Sequence, residues 1–176
     1  MALGYDEKLY ILAFDHRGSF EKMFGISGRV PTDEETAKIQ DAKRLIFEGF
    51  QRAVEAGAPK DAVGILVDGQ YGPTVATDAK AAGFNLAMPV EKSGQEEFDF
   101  EYGEDFGAKI EEYNPTFSKV LVRYNTAGDA VMNERQAARL KRLSDWLHDK
   151  ERKFLFELLV PATDEQLASV DRSSER

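Results

Sequence analysis

The runs Phe117-Ser118-Lys119-Val120-Leu121-Val122-Arg123-Tyr124 and Lys153-Phe154-Leu155-Phe156-Glu157-Leu158-Leu159-Val160 decide the fold class of this chain. Each is short and dominated by aliphatic and aromatic side chains, the pattern of a buried strand. Between them Gln136, Leu140, Leu143 and Leu147 recur at helical spacing, so an amphipathic helix joins the two. Strands joined in this way run parallel, with a right-handed crossover.

The same unit recurs toward the N-terminus. Leu9–Phe14 is an apolar run that breaks into the polar loop Asp15-His16-Arg17-Gly18. Thr32 and Glu35 have capping-box spacing, and Ile39, Ala42, Ile46, Phe50 and Ala53 carry a long helix to a stop at Gly57. Residues 63–67 form a second strand closed by Asp68. A helix over 73–82 follows, with Pro73 in its first turn and Gly83 after its end. Residues 84–90 are the third strand. The acidic stretch 95–105 reads as a solvated loop entering a helix that reaches about Tyr113. Thr163 opens a last helix that frays into Asp171–Arg176. Five strand–helix units in strict alternation make a single α/β domain over residues 1–176. They fit either an open doubly wound sheet or part of an eight-unit barrel, and periodicity does not separate these.

Composition narrows the functions. A formal charge of −9 argues against non-specific nucleic-acid binding. The chain has no cysteine, so it forms neither disulfides nor thiolate metal sites. The two histidines, His16 and His148, are too far apart for metal-ligand spacing, and no metal or cofactor is expected. No apolar run approaches the ~20 residues of a membrane span, and the first residues lack a basic segment leading into an apolar stretch. The cytoplasm is the expected location. Dinucleotide-binding, phosphate-loop and nucleophile-elbow motifs are absent.

Side chains alternate across a strand, so parity shows which residues share a face. Lys119, Leu121 and Arg123 lie together, as do Leu155, Glu157 and Leu159, whereas Phe154, Phe156 and Leu158 are expected against helices. The same parity sets Asp15 with Ala13, Asp68 with Leu66, and Glu91 with Pro89. Each strand thus delivers a charge on one face near its C-terminal end, where the active sites of barrels and open α/β sheets lie. Any one of these residues taken alone reads as a helix cap or solvated surface. Lys119 and Glu157 are the sharpest pair, since a lysine in an apolar strand needs an ion pair, a lowered pKa or a bound anion. A buried ion pair that fixes the fold is the plainer reading of the two. His16 suits general acid–base work or a turn hydrogen bond, and His148 reads as surface.

Residues Ile11–Phe20, with Asp15-His16-Arg17-Gly18 at their centre, resemble the opening of the tagatose 1,6-bisphosphate aldolase-like family. Ala87–Gly94, Lys119–Asn125 and Phe154–Thr163 are similar to the bacterial domain fused in some species to the inositol-pathway sugar kinase, 5-dehydro-2-deoxygluconokinase. The likeness runs from about Leu9 to Ala168. It implies a (β/α)₈ barrel of the TIM type, with about the first five units present, and class I aldolase chemistry on a phosphorylated keto-sugar. By matching position it implies that Glu157 moves protons, that Lys119 binds substrate, and that Asp15 and His16 form the polar pair after the first strand. Arg17, Asp68, Glu91, Lys92 and Arg123 join them as substrate-binding candidates. In that family the Schiff-base lysine lies on the strand after the one holding the glutamate, which here would fall beyond Arg176. An incomplete, inactive barrel is therefore expected. Relatives tend to carry a glutamate where this chain has Gly69, which implies one carboxylate fewer for orienting substrate. The competing expectations are an accessory domain of a sugar kinase and a non-catalytic barrel piece acting through a partner chain, as a homo-oligomer or a fusion.

Overall fold

A computed structural model describes residues 4–170. Five strands, β1 (Tyr10–Ala13), β2 (Val63–Leu66), β3 (Asn85–Pro89), β4 (Phe117–Arg123) and β5 (Lys153–Leu159), form one sheet. All neighbours are parallel and the order is sequential, β1 to β5. The helices are α1 (Gly18–Met23), α2 (Asp33–Glu55), α3 (Pro73–Ala81), α4 (Phe106–Tyr113), α5 (Ala130–Asp149) and α6 (Asp164–Ser169).

Local chemistry accounts for the boundaries. At the start of α2 the Thr32 side chain accepts from the Glu35 amide, and the Glu35 carboxylate accepts from the Thr32 amide. The same reciprocal cap links Thr163 and Gln166 at α6. Asp129 caps α5 through the amides of Val131 and Met132, which sets its start six residues before the first position of the periodic stripe. The Asp15–Gly18 loop leads at once into α1, a turn of helix with no apolar period to announce it.

Two cores lie on one face of the sheet. Phe47 and Phe50 of α2 and Val75, Ala76 and Ala79 of α3 pack on Ile65, Val67, Leu86 and Met88. Ile110 of α4 and Leu143 and Leu147 of α5 pack on Val120 and Val122. The opposite face carries Ile11, Leu66, Ala87, Phe117 and Leu155. Among the described residues the core helices lie on one side, and the five strands curl as a half-barrel with this second face inward. A doubly wound sheet would reverse its strand order at a switch point, and this sheet does not.

Two expectations need correction. Residues 95–105 are not simply solvated: Phe98 and Phe100 are buried, and Phe100 stacks on Phe106 with ring centroids 4.4 Å apart. The Gln136 side chain accepts from the Phe98 amide, while Arg135 and Arg139 hydrogen-bond to Glu97 and hold its pKa down to about 2. On β5, Phe154 packs against the second core, but Phe156 and Leu158 remain exposed. The last residues, 171–176, where the final helix is expected to fray, lie outside the described residues. No helix among those described is long and apolar enough to cross a membrane.

Candidate functional site at the strand ends

The inner face of the sheet opens, at the C-terminal ends of the strands, into a cavity of about 530 Å³. The register explains which charges meet there. Pro89 pairs with Lys119, Lys119 with Leu155, and Leu121 with Glu157, so Lys119 and Glu157 sit on adjacent rows of the same face. Glu91 follows β3, and Asp15 follows β1.

The Lys119 ammonium is the centre of this group. Its Nζ lies 3.0 Å from Asp15 Oδ2, 2.9 Å from Glu91 Oε1 and 3.2 Å from Glu157 Oε2. The Lys119 and Glu91 side chains are 4% and 9% exposed, whereas that of Glu157 is 48% exposed. Burial works against charge on Lys119, but Glu91 and Asp15 outweigh it and hold its pKa above the ordinary lysine value. Arg123, on the same face, donates to the Gln95 carbonyl at 3.0 Å and lines the cavity.

Arg17 forms the adjoining wall. It donates to Glu101 Oε2 at 3.0 Å and to the Glu91 carbonyl at 2.9 Å, and one of its terminal nitrogens lies 4.0 Å from Glu91 Oε1. His16 lines the cavity with an exposed ring, and Lys92 lines it while paired with Asp99 at 3.1 Å. His148 is on the surface, as expected.

Asp68 is the exception among the expected site residues. It is buried but does not line the cavity. Parity holds only while the backbone is extended, and β2 ends at Leu66. From Asp68 the chain turns, and the Asp68 carboxylate accepts from the amides of Gln70 and Tyr71 at 2.9 and 2.7 Å. Its other oxygen accepts from Lys43. Neighbouring Gly69 does not leave a gap in the cavity either. A Cβ there would meet the Tyr102 hydroxyl at 2.8 Å and that of Tyr113 at 3.3 Å, in a separate crevice.

Lys43 of α2 went unnoticed in the sequence. It is fully buried and donates to the carbonyls of Phe14 and His16, at 2.8 and 2.9 Å, and to Asp68. It thereby clamps both ends of the segment that presents Asp15. Burial draws its pKa below the ordinary lysine value, with Asp68 opposing. A signal was available: Lys43 lies four residues after Ile39 and four before Phe47, in the middle of the buried stripe.

What the cluster can do follows from its bonding. A lysine ammonium has three donors, and here three carboxylates surround it. An incoming oxygen has to displace one, and Glu157 is the most solvated and the most distant. A ligand oxygen on Lys119 would leave the Glu157 carboxylate beside it, free to take or return a proton. Among the described residues no three His, Cys, Asp or Glu side chains are arranged to hold a metal ion. The bacterial family model DUF2090, described as an uncharacterized protein conserved in bacteria, matches residues 4–174. No curated protein matches the chain.

Proposed function

The chain belongs to the DUF2090 family, and we propose that it is an aldolase-like (β/α)₈-type unit whose cavity takes a phosphorylated keto-sugar. One observation carries this reading: Lys119 sits at the C-terminal strand ends among Asp15, Glu91 and Glu157, with the half-exposed Glu157 replaceable by a substrate oxygen. The roles follow from position. Lys119, as an ammonium, hydrogen-bonds a carbonyl or hydroxyl oxygen of the sugar and stabilises negative charge on it. Glu157 accepts the hydroxyl proton as a carbon–carbon bond breaks and returns it in the condensing direction. Asp15 favours the charge on Lys119, and Asp15 and Glu91, as acceptors of its hydrogen bonds, aim it. Lys92 and Arg123, with the His16 ring beside them, line the cavity and supply the positive charge that a phosphate needs even though the whole chain is acidic.

Class I chemistry also needs an uncharged amine, and Lys119 is unsuited to that part because its neighbours favour the charged form. Its place in this reading is binding and charge stabilisation. The resemblance of residues 11–20 to the tagatose 1,6-bisphosphate aldolase-like family, and of residues 87–94, 119–125 and 154–163 to the aldolase-like domain fused to an inositol-pathway sugar kinase, supports the same assignment.

Calorimetric titration with dihydroxyacetone phosphate, and with dihydroxyacetone as the uncharged control, tests this. The phosphate ester is expected to bind and the parent ketose to bind at least ~10-fold more weakly, because charge-assisted contacts are roughly twice as strong as neutral ones. Lys119→Met is expected to abolish binding in a folded chain. Equal affinity for the two compounds, or undiminished binding by the folded variant, would refute the proposal.

A further inference from the structure

Glu91 has a feature that the roles above leave unexplained. Its Oε1 is bonded to Lys119, but its Oε2 is buried and has no hydrogen-bond partner. Among the described residues one other buried side-chain atom shares that condition, Nε of Arg17. An ionised carboxylate with one oxygen both dry and unpaired is costly, and a proton on that oxygen removes the charge.

The surrounding charges point the same way. From β4 comes Lys119 and from the loop after β1 come Arg17 and Asp15, while Glu157 on β5 and Glu101 face Glu91 across those two cations. Two cations thus stand among four carboxylates. The Glu101, Glu157 and Asp15 side chains are 31%, 48% and 15% exposed, against 9% for Glu91. The most enclosed carboxyl is where a proton relieves the excess at least cost.

We propose that Glu91 rests as a neutral carboxylic acid, and that anion binding in the cavity is coupled to the proton it holds. The proposal rests on the sugar-phosphate reading of the cavity. While Glu91 is protonated, the cluster has one negative charge fewer and accepts an anion more readily. Burial raises the Glu91 pKa above the ordinary carboxylate value, opposed by Lys119 and Arg17, which fixes the sign. In the folded chain the proton is held from the ordinary carboxylate range up to the raised pKa, and it is lost as pH rises through that value. The stability contributed by protonated Glu91 declines between the ordinary carboxylate range and the raised pKa, and anion affinity declines as pH rises through the raised pKa.

Calorimetry with sulfate, whose charge is constant over the working range, and with dihydroxyacetone phosphate tests the coupling from mildly acidic to mildly alkaline pH. Sulfate is expected to bind the wild type on the order of tenfold more weakly at the alkaline end, from Coulomb repulsion across a partly desolvated cavity. Binding should take up protons in the window, seen as a dependence of the measured heat on the buffer. Glu91→Gln, which mimics the neutral acid and cannot ionise, should flatten the decline of affinity with pH. In the free wild-type chain, the Glu91 side-chain carbon should titrate above the other glutamates by ¹³C NMR, a readout that needs neither variant nor ligand. Profiles that superimpose for wild type and Glu91→Gln, or a Glu91 carbon titrating in the ordinary range, would overturn the coupling and leave the binding reading intact. Absence of binding by either anion at every pH would refute both.

Discussion

Replacing Lys43 by methionine nearly preserves the volume of the side chain and removes its ammonium, so the cost measures what the charge does. Three acceptors lose a donor: the carbonyls of Phe14 and His16 and one oxygen of Asp68. Breaking a buried ion pair from one side costs ~3–5 kcal/mol, because the remaining charge is left without its partner. Two stranded carbonyls add ~1 kcal/mol each if water does not reach them. Against this, Asp68 keeps its bonds from the Gln70 and Tyr71 amides, and the desolvation penalty of the lysine itself disappears. The net loss is expected near ~4 kcal/mol, a large share of the ~5–15 kcal/mol that holds a domain together. Urea unfolding followed by circular dichroism would measure it. Adding Asp68→Asn keeps an acceptor for the turn and removes the stranded charge, so the double variant should recover ~2 kcal/mol relative to Lys43→Met. A loss below ~1 kcal/mol for Lys43→Met, or no recovery on adding Asp68→Asn, would show that Lys43 is not the clamp described.

Two further outcomes follow. Borohydride reduction in the presence of dihydroxyacetone phosphate should leave the peptide containing Lys119 unmodified by mass spectrometry, since the Asp15 carboxylate 3.0 Å away favours the charged amine; an adduct at Lys119 would show that it is the nucleophile. Gly107→Ala sets a helix gain of at most ~1 kcal/mol against a Cβ placed 2.9 Å from three atoms of the Trp146 ring. The rigid indole is itself packed against Phe106, so overpacking should prevail, with a net loss of ~1–2 kcal/mol. A rise in Tm on this substitution would refute that balance.

Much of the scaffold was legible before any coordinates. The strand at Phe117–Arg123, the helix capped by Thr32 and Glu35, and the helix opening at Pro73 are all written in short-range chemistry: hydrophobic period, reciprocal caps and a ring that fixes φ. Parity along extended strands was enough to set Lys119 and Glu157 on one face and to bring Asp15 and Glu91 near them. The same rule failed at Asp68, one residue past Val67, because a turn carries no period of two and the side chain found partners within its own loop. Lys43 was hidden for the opposite reason. A helical stripe shows where the core side lies, but not that a lysine in it will meet two carbonyls and a carboxylate from segments 25 to 29 residues away in sequence. Likewise the burial of Phe98 and Phe100 in an acidic loop depends on Gln136, Arg135 and Arg139 arriving from α5. Sequence alone determined the order, type and facing of the elements, since those are set by neighbours along the chain. Only the tertiary structure decided which charges are paired, which is left dry and where the cavity opens, because those depend on the register of strands brought together across the fold.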